Sequence, residues 1–158
     1  MRKIFTFFLA LIVGAGTLFA ETKASGTCGE HLTWDLTGEV LTISGTGDMA
    51  EWDETENIPW YSNRLSVKSV IIGNGVTSIS ERAFRPCTYL ASVTIPNTVK
   101  TIGGWAFYNC IKLTSVTIPN SVTTIGSRAF DECPKLTSVV LGEGLTSIGV
   151  CAFAERLL

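Results

Sequence analysis

The chain has 158 residues, of which 46% are hydrophobic and only 16% are charged, a composition that favours one packed domain over a disordered chain. The formal net charge is −2, and no cluster of Lys and Arg suited to a phosphate backbone is present, so we expect no nucleic-acid partner. These bounds leave interaction, structural and catalytic roles open.

Residues 1–20 have the layout of a secretory signal peptide. Arg2 and Lys3 precede an apolar run, and the segment ends in small residues around Ala20. A retained membrane anchor is the alternative, but the apolar run is shorter than the roughly 20 residues that a spanning helix needs. The prediction is therefore cleavage of residues 1–20, which implies a secreted or cell-surface protein without a membrane span after cleavage.

Residues 21–66 are predicted to form an N-terminal cap followed by a connector. In "HLTWDLTGEVLTIS" (31–44), apolar and polar residues alternate on both sides of "TGE", which predicts a β-hairpin. The apolar side of this hairpin would cover the first layer of the following segment. Its residues are Leu32, Trp34, Leu36, Leu41 and Ile43.

The connector "SGTGDMAEWDETENIPWYSN" (44–63) is acidic and contains no Lys or Arg. Its carboxylates are Asp48, Glu51, Asp53, Glu54 and Glu56. A calcium ion binds to several such oxygens, but the spacing is not that of an EF-hand loop. A solvated acidic loop is the favoured interpretation, and we expect neither a metal nor a cofactor.

Residues 67–158 divide into four units of 23 residues. The period is marked by the pairs Ala83-Phe84, Ala106-Phe107, Ala129-Phe130 and Ala152-Phe153. A fixed period of this length is typical of a solenoid, in which one unit cannot bury its apolar face alone and stacked units cover each other. The primary role predicted for the repeats is therefore to form and stabilise a scaffold.

One unit, "LTSVTIPNSVTTIGSRAF" (113–130), shows what each part is predicted to do. Val116 and Ile118 alternate as in a short strand, and Pro119 follows where strand pairing would stop. The strands of successive units would pair into a parallel ladder. The remaining apolar residues have spacings that predict a helix-like or 3₁₀-like inward face. They are Val122, Ile125, Ala129, Phe130 and Cys133.

The pattern L-x-x-V-x-I-P-x-x-V-x-x-I-G-x-x-A-F-x-x-C, over roughly residues 58–158, resembles the BspA type of leucine-rich repeat found in bacterial surface proteins. The segment beginning "GTCGEHLTWDL" is similar to the leader found ahead of such arrays. The resemblance implies an α+β repeat solenoid, right-handed and leucine-rich-repeat-like. Short parallel strands would lie on one face and short helical or 3₁₀ turns on the other, below an N-terminal β-hairpin cap. It further implies surface display or secretion and binding to other macromolecules.

The array departs from this pattern at both ends. Trp60-Tyr61 stands in the Ala-Phe position before the first unit, and Arg64 and Arg156 stand in the Cys position. No distinct cap follows the last unit. Three alternatives remain: "AERLL" is a minimal cap, the open end meets a partner, or the chain is truncated relative to longer relatives.

Five cysteines in an oxidising compartment suggest disulfides. Cys87, Cys110 and Cys133, however, occupy one position of the repeat, and side chains stacked in equivalent positions point the same way, which is poor disulfide geometry. We therefore predict a ladder of buried thiols. The redox state of Cys28 and Cys151 stays open, and Cys151 falls at a position that varies between units.

Candidate binding residues are those that the core does not use. The outward strand positions form a nearly uncharged Ser/Thr stripe on the presumed concave face, although such residues are also simply good strand formers. The stripe comprises Ser92, Thr94, Ser115, Thr117, Ser138 and Val140. Trp105 and Tyr108 form a second candidate patch, because Trp and Tyr are common in binding hot spots. Packing between turns is the alternative for both aromatic residues.

Three function classes remain. A secreted or surface interaction module, binding a protein or a host extracellular-matrix macromolecule in an adhesion-type role, is the predicted one. A structural solenoid that self-associates through open repeat ends is the alternative. An enzyme, for example a hydrolase, is disfavoured, because the sequence shows no nucleophile elbow, phosphate loop or metal-ligand pair, and His31 is the only histidine.

Overall fold

The computed structural model describes residues 22–85 and 87–154. The predicted signal peptide lies outside these residues. Two 3₁₀ helices, at Thr55–Asn57 and Tyr61–Ser66, lie in the connector. The strands are β1 (Thr22–Thr27), β2 (Leu32–Thr37), β3 (Val40–Gly45), β4 (Gly47–Asp48), β5 (Ser69–Ile72), β6 (Val76–Ile79), β7 (Ser92–Thr94), β8 (Thr101–Ile102), β9 (Ser115–Ile118), β10 (Thr124–Ile125), β11 (Ser138–Leu141) and β12 (Ser147–Ile148).

The N-terminal hairpin is confirmed as the antiparallel pair β2–β3, whose turn contains Gly38 with a φ of 62°. β3 also pairs in parallel with β5, with Leu41 opposite Val70, so the hairpin begins the ladder of the repeats. All five apolar hairpin residues are buried, as predicted.

β1 was not predicted, because "TKASGT" lacks apolar alternation. This strand pairs antiparallel with β2 and places Gly26 opposite Trp34. A Cβ at Gly26 would lie 2.9 Å from the indole Nε1 of Trp34, so the strand can cross the indole this closely only with glycine. The cap therefore has three antiparallel strands, and β1 is its outer edge.

Two runs of strands follow the repeat. The first runs β1-β2-β3-β5-β7, with β9 and β11 pairing separately beyond it. The second runs β4-β6-β8-β10-β12, and in it Thr124 pairs in parallel with Thr101 on one side and Ser147 on the other. The leucine-rich-repeat-like solenoid of parallel strands is confirmed.

Of the helix-like and 3₁₀-like alternatives predicted for the second half of each unit, the structure shows the 3₁₀-like turn, preceded by a short strand that was not predicted. Ile125 lies on the short strand β10, and the following turn is closed by a hydrogen bond from the Ala129 N–H to the Gly126 C=O at 3.3 Å. The Gly126 N–H donates instead to the Ile102 C=O of the preceding layer at 2.7 Å. Main-chain donors that bond to a neighbouring layer are not available for a helix, so only 3₁₀-like turns remain.

Each of these turns contains a residue with a left-handed backbone just before the Ala-Phe pair. The φ angles are 60° at Arg82, 53° at Trp105, 57° at Arg128 and 57° at Cys151. The N–H groups of Arg82, Trp105 and Arg128 donate to carbonyls of the next layer at 2.9, 3.0 and 2.9 Å. These hydrogen bonds offset the strain of a left-handed non-glycine residue.

A stack of aromatic rings runs through the core of the solenoid. Phe84, Phe107 and Phe130 are buried, and their ring centroids are 5.1 and 5.0 Å apart. Trp60 continues the stack on Phe84 at 5.5 Å, and its Nε1 donates to the Ala83 C=O at 2.8 Å. The ring that continues the stack before the first unit is thus that of Trp60, whereas the 23-residue period assigns this position to Tyr61.

Within the described residues, no helix has the length and apolar character needed to cross a membrane.

Candidate functional site

The Ser/Thr stripe lies on the outward face of the first run of strands. All six of its residues are exposed, because alternation along β7, β9 and β11 turns their neighbours inward. At one end of the stripe, the Ser92 Oγ donates to the Ser69 Oγ of the preceding unit at 3.0 Å. The predicted exposure of these positions is therefore correct, while their role in binding stays a prediction.

The ladder opens between β7 and β9. The sheet that begins at β1 ends at β7, and β9 pairs with β11 alone among the described strands. At this opening Val93 and Ile95 are partly exposed, whereas the equivalent Val116 and Ile118 of the next unit are buried. The main-chain groups of β7 and β9 that face each other are consequently not used in strand pairing.

A shallow depression of about 370 Å³ lies over this opening, and we call it the β7–β9 depression. It is lined by Ser92, Val93, Thr94, Ile95, Ser115, Val116 and Thr117. Four of the six stripe residues therefore share one concave feature, and Ser138 and Val140 lie in the next layer. Hydroxyl groups surround an apolar floor, and no lining side chain titrates near neutral pH, so the site suits binding better than acid–base catalysis.

No feature of the sequence marks Val93 and Ile95 as site residues. Both fall on core positions of the repeat, and periodicity assigns them to the interior. Their partial exposure depends on the opening of the ladder, which is a property of the assembled layers.

The aromatic candidates take part in packing between layers. The guanidinium of Arg82 lies 5.4 Å from the ring centroid of Trp105, and that of Arg85 lies 4.7 Å from Tyr108. The Tyr108 hydroxyl donates to the Glu132 carboxylate, and this hydrogen bond raises the pKa of Tyr108. Both aromatic rings are half-buried, and neither lines the β7–β9 depression.

His31 and the acidic connector do not form a catalytic arrangement in the described residues. The imidazole is 71% exposed, and its Nε2 lies 3.9 Å from the carboxylate of the adjacent Glu30. In the connector, Asp48 accepts a hydrogen bond from the Thr77 hydroxyl at 2.6 Å. Residues 22–85 and 87–154 contain no group of three or more His, Cys, Asp or Glu placed to hold a metal ion.

The cysteines are free thiols, and Cys87, Cys110 and Cys133 form the predicted buried ladder. The Cys133 Sγ donates to the Phe107 C=O at 3.2 Å, and the Cys110 Sγ donates to the Phe84 C=O at 3.6 Å. Burial raises the pKa of Cys87 to about 12 and that of Cys133 to about 11. These protonated, hydrogen-bonded thiols are packing residues, whereas Cys151 is exposed.

With this geometry in place, the chain can be compared with known proteins. The profile of the BspA type leucine rich repeat region matches residues 59–158 in 6 copies. A comparison with curated proteins finds no match.

Several solved structures have a similar fold. A leucine-rich repeat protein from Eubacterium ventriosum is 26% identical, with 77% of this chain and 45% of that chain covered and a TM-score of 0.53. A leucine-rich repeat protein from Bacteroides ovatus is 33% identical, with 59% and 24% covered and a TM-score of 0.56. The T. pallidum leucine rich repeat protein is 26% identical, with 80% and 65% covered and a TM-score of 0.58. The chain thus spans less than two thirds of the length of each of these proteins.

Proposed function

Because the chain belongs to the BspA type of leucine-rich repeat proteins, as the match over residues 59–158 shows, we propose that it is an adhesion-type interaction module acting at the cell surface or outside the cell. Solenoids of this kind bind macromolecules along extended concave faces. The partner would be a protein, such as a component of a host extracellular matrix.

In this proposal residues 1–20 direct the chain out of the cytoplasm, residues 21–66 cap and connect, and residues 67–158 form the binding array. The cap supports this division, because the three strands β1, β2 and β3 close the first layer with buried apolar residues. With the first layer closed, the outward face of the ladder is an accessible surface of the array.

The observation that carries the proposal is the β7–β9 depression. Its hydroxyl groups can bond to the main chain of an extended peptide segment, and so can the main-chain groups of β7 and β9 that face the opening. Partly exposed Val93 and Ile95 offer a small apolar floor for one or two partner side chains. A neutral, extended segment with small apolar side chains fits these features best.

The test uses surface plasmon resonance against a panel of purified extracellular-matrix proteins. A Thr94→Arg/Thr117→Arg double variant places two long cations in the depression, and we expect its affinity for any bound partner to fall at least about tenfold, since buried charges in an interface lack compensation. Thr123→Arg is the matched control, because Thr123 is an exposed threonine immediately before β10, in the opposite run of strands. We expect the control to bind within about twofold of the parent protein.

The proposal fails if the double variant and the control bind equally well to a partner of the parent protein. It also fails if no matrix protein in the panel binds at 50 μM, a concentration at which an adhesion-type contact of roughly micromolar affinity is readily detected.

A further inference from the structure

The loops that lead into β7, β9 and β11 (residues 87–91, 110–114 and 133–137) border the Ser/Thr stripe at the N-terminal ends of these strands. Each loop buries a Cys and a Leu, as Cys110 and Leu113 are buried, and exposes the residue directly before the Leu. The Thr137 N–H donates to the Thr114 C=O at 3.0 Å, so the loops before β9 and β11 keep the register of the strands that follow. The backbones at equivalent positions of these two loops are therefore stacked about 5 Å apart.

The side chains that these loops expose are basic and apolar. Tyr89, Lys112 and Lys135 occupy the same loop position, directly before the buried Leu, and all three are exposed. Tyr89 is 49% exposed, and Ile111, the neighbour of Lys112, is 37% exposed. Tyr89 and Lys112 lie in inner layers with units stacked on both sides, so their exposure is a property of the loop position. We call these four residues the loop edge.

The two lysines of the loop edge have no compensating acid. Neither Lys112 nor Lys135 forms an ion pair within residues 22–85 and 87–154, and the loops "CTYLA", "CIKLT" and "CPKLT" contain no Asp or Glu. Lys68, which precedes β5 on the same side of the solenoid, is by contrast paired with the Glu39 carboxylate at 2.8 Å. An anionic group between Lys112 and Lys135 would reduce the repulsion of the two cations and supply the ion pairs that the described chain does not make.

The acids that come just before the last of these loops in the sequence are engaged elsewhere. The Glu132 carboxylate accepts the hydrogen bond from the Tyr108 hydroxyl, and the buried Asp131 carboxylate lies 3.7 Å from the Arg128 guanidinium. The whole chain has a formal net charge of −2, and its connector is acidic, so the loop edge is a basic site on an acidic protein. An acidic partner is attracted to the loop edge and repelled by the connector, and both effects orient it.

We propose that the loop edge binds an acidic stretch of the extended partner segment that the proposed function assigns to the β7–β9 depression, and this inference rests on that function. β7 and β9 begin three residues after Tyr89 and Lys112, so the loop edge borders the depression where these two strands start. A segment that crosses the depression continues onto the loop edge. Its carboxylates pair with Lys112 and Lys135, and a large apolar side chain packs on Tyr89 and Ile111.

A protein segment fits the loop edge better than an acidic polysaccharide does. The exposed aliphatic side chain of Ile111 forms no hydrogen bond with a sugar hydroxyl, whereas it can pack against an apolar side chain. Side chains on one face of an extended segment recur about every 6.8 Å, and two flexible lysine side chains that start about 5 Å apart can reach two such positions. The recognised pattern is therefore a large apolar residue beside acids at alternate positions.

Selection of random peptides displayed on phage, with the purified protein as bait, tests the chemistry of the partner. We expect the recovered peptides to contain at least two Asp or Glu and one aromatic or large aliphatic residue. The affinities of synthetic copies are measured by fluorescence anisotropy. Lys112→Glu/Lys135→Glu raises the dissociation constant at least about tenfold, because attraction becomes repulsion. Lys23→Glu/Lys100→Glu is the matched control, since it changes the net charge equally at two exposed lysines outside the loop edge, and it binds within about twofold of the parent protein.

Tyr89→Ala tests the apolar part of the contact. The ring is half exposed, so its loss leaves the fold intact, which circular dichroism checks. We expect the affinity for the selected peptides to fall at least about threefold, and to do so at low and at high salt. The contribution of Lys112 and Lys135 instead disappears in roughly 0.5 M sodium chloride, because exposed ion pairs are screened.

The inference is overturned if no peptide is recovered, if the recovered peptides are neutral or basic, or if Lys112→Glu/Lys135→Glu and the control lose affinity equally. Retention of the protein on immobilised hyaluronan, removed by Lys112→Glu/Lys135→Glu and without any bound peptide, would assign the loop edge to a polysaccharide and overturn it too.

Failure of the proposed function gives a different pattern. An acidic peptide that loses affinity in Lys112→Glu/Lys135→Glu but not in Thr94→Arg/Thr117→Arg binds the loop edge without the depression, which contradicts the proposed function and leaves the acidic ligand of the loop edge standing. The opposite pattern contradicts the role of the loop edge alone.

Discussion

Removing one ring from the middle of the aromatic stack should cost the solenoid a large part of its stability. In Phe107→Ala the lost side chain is fully buried and stacks on Phe84 at 5.1 Å and on Phe130 at 5.0 Å. Truncating a buried Phe to Ala costs about 3–5 kcal/mol, and each aromatic pair adds about 0.5–1.5 kcal/mol beyond burial, which places this site at the upper end, about 5 kcal/mol. A domain of this size has a free energy of unfolding of about 5–15 kcal/mol, so the variant should be close to unfolding.

Phe153→Ala is the matched control for this substitution. Phe153 stacks on Phe130 at 5.2 Å but is only partly buried in the last layer, so we expect a loss of about 2 kcal/mol. The free energies of unfolding are obtained from equilibrium urea titrations followed by circular dichroism. Similar losses for the two variants, or a loss below 2 kcal/mol for Phe107→Ala, would refute the view that stacking through the layers carries the stability.

Two further predictions address the turn and the thiol ladder. Arg128 has a left-handed φ of 57°, so Arg128→Gly should raise the free energy of unfolding by about 1 kcal/mol in urea titrations. If Arg128→Gly is less stable than Arg128→Ala, this interpretation of the turn is contradicted. Burial raises the pKa of Cys87 from 9.0 to about 12 and that of Cys133 to about 11. Since these folded-state values lie above the unfolded ones, the stability from burying the thiols is fully present below pH 9 and is lost as the pH rises from about 9 to about 11 for Cys133 and to about 12 for Cys87. Urea titrations at pH 8 and pH 10.5 should show a smaller loss for Cys87→Ala/Cys133→Ala than for the parent protein, and equal losses would contradict burial of the thiols.

The parts of the fold that could be predicted are those in which apolar residues recur with a regular spacing. Every 23 residues the same apolar position returns, so Val116 and Ile118 had to face the same interior as their equivalents. The hairpin β2–β3 was predictable for the same reason, since alternation over two adjacent runs specifies its buried face.

The parts that could not be predicted depend on pairing between distant segments. β1 is polar, and it forms a strand because it pairs with β2 and lies against Trp34. The two-residue strands β8, β10 and β12 are too short to show alternation, and the spacing of Ile125 to Ala129 fits a helix equally well. Only the hydrogen bonds between layers distinguish the two.

In the candidate site, too, the features set by local sequence could be predicted, and the features set by the packing of layers could not. Exposure of Ser92, Thr94, Ser115 and Thr117 follows from alternation and was predicted. The opening of the ladder was not, and local sequence could not have indicated it, because β7 and the start of β9 both read "SVT" and both are followed by Ile-Pro. The opening must therefore arise from how whole layers stack, and it gives identical sequences two different environments.

The turn before each Ala-Phe pair explains how such a repetitive scaffold can still acquire a specific surface. Its backbone is fixed by hydrogen bonds to the next layer, as from the Trp105 N–H to the Ser127 C=O, and these bonds do not depend on the side chain. Arg82, Trp105, Arg128 and Cys151 therefore occupy the same strained conformation with three different side-chain chemistries. The stripe works in a similar way, because strand pairing fixes its backbone while the outward residue is Thr94, Thr117 or Val140 in successive units. A solenoid held by its main chain and its core can change its partner by substituting these positions without loss of the fold, so binding specificity in this chain should reside where the units differ.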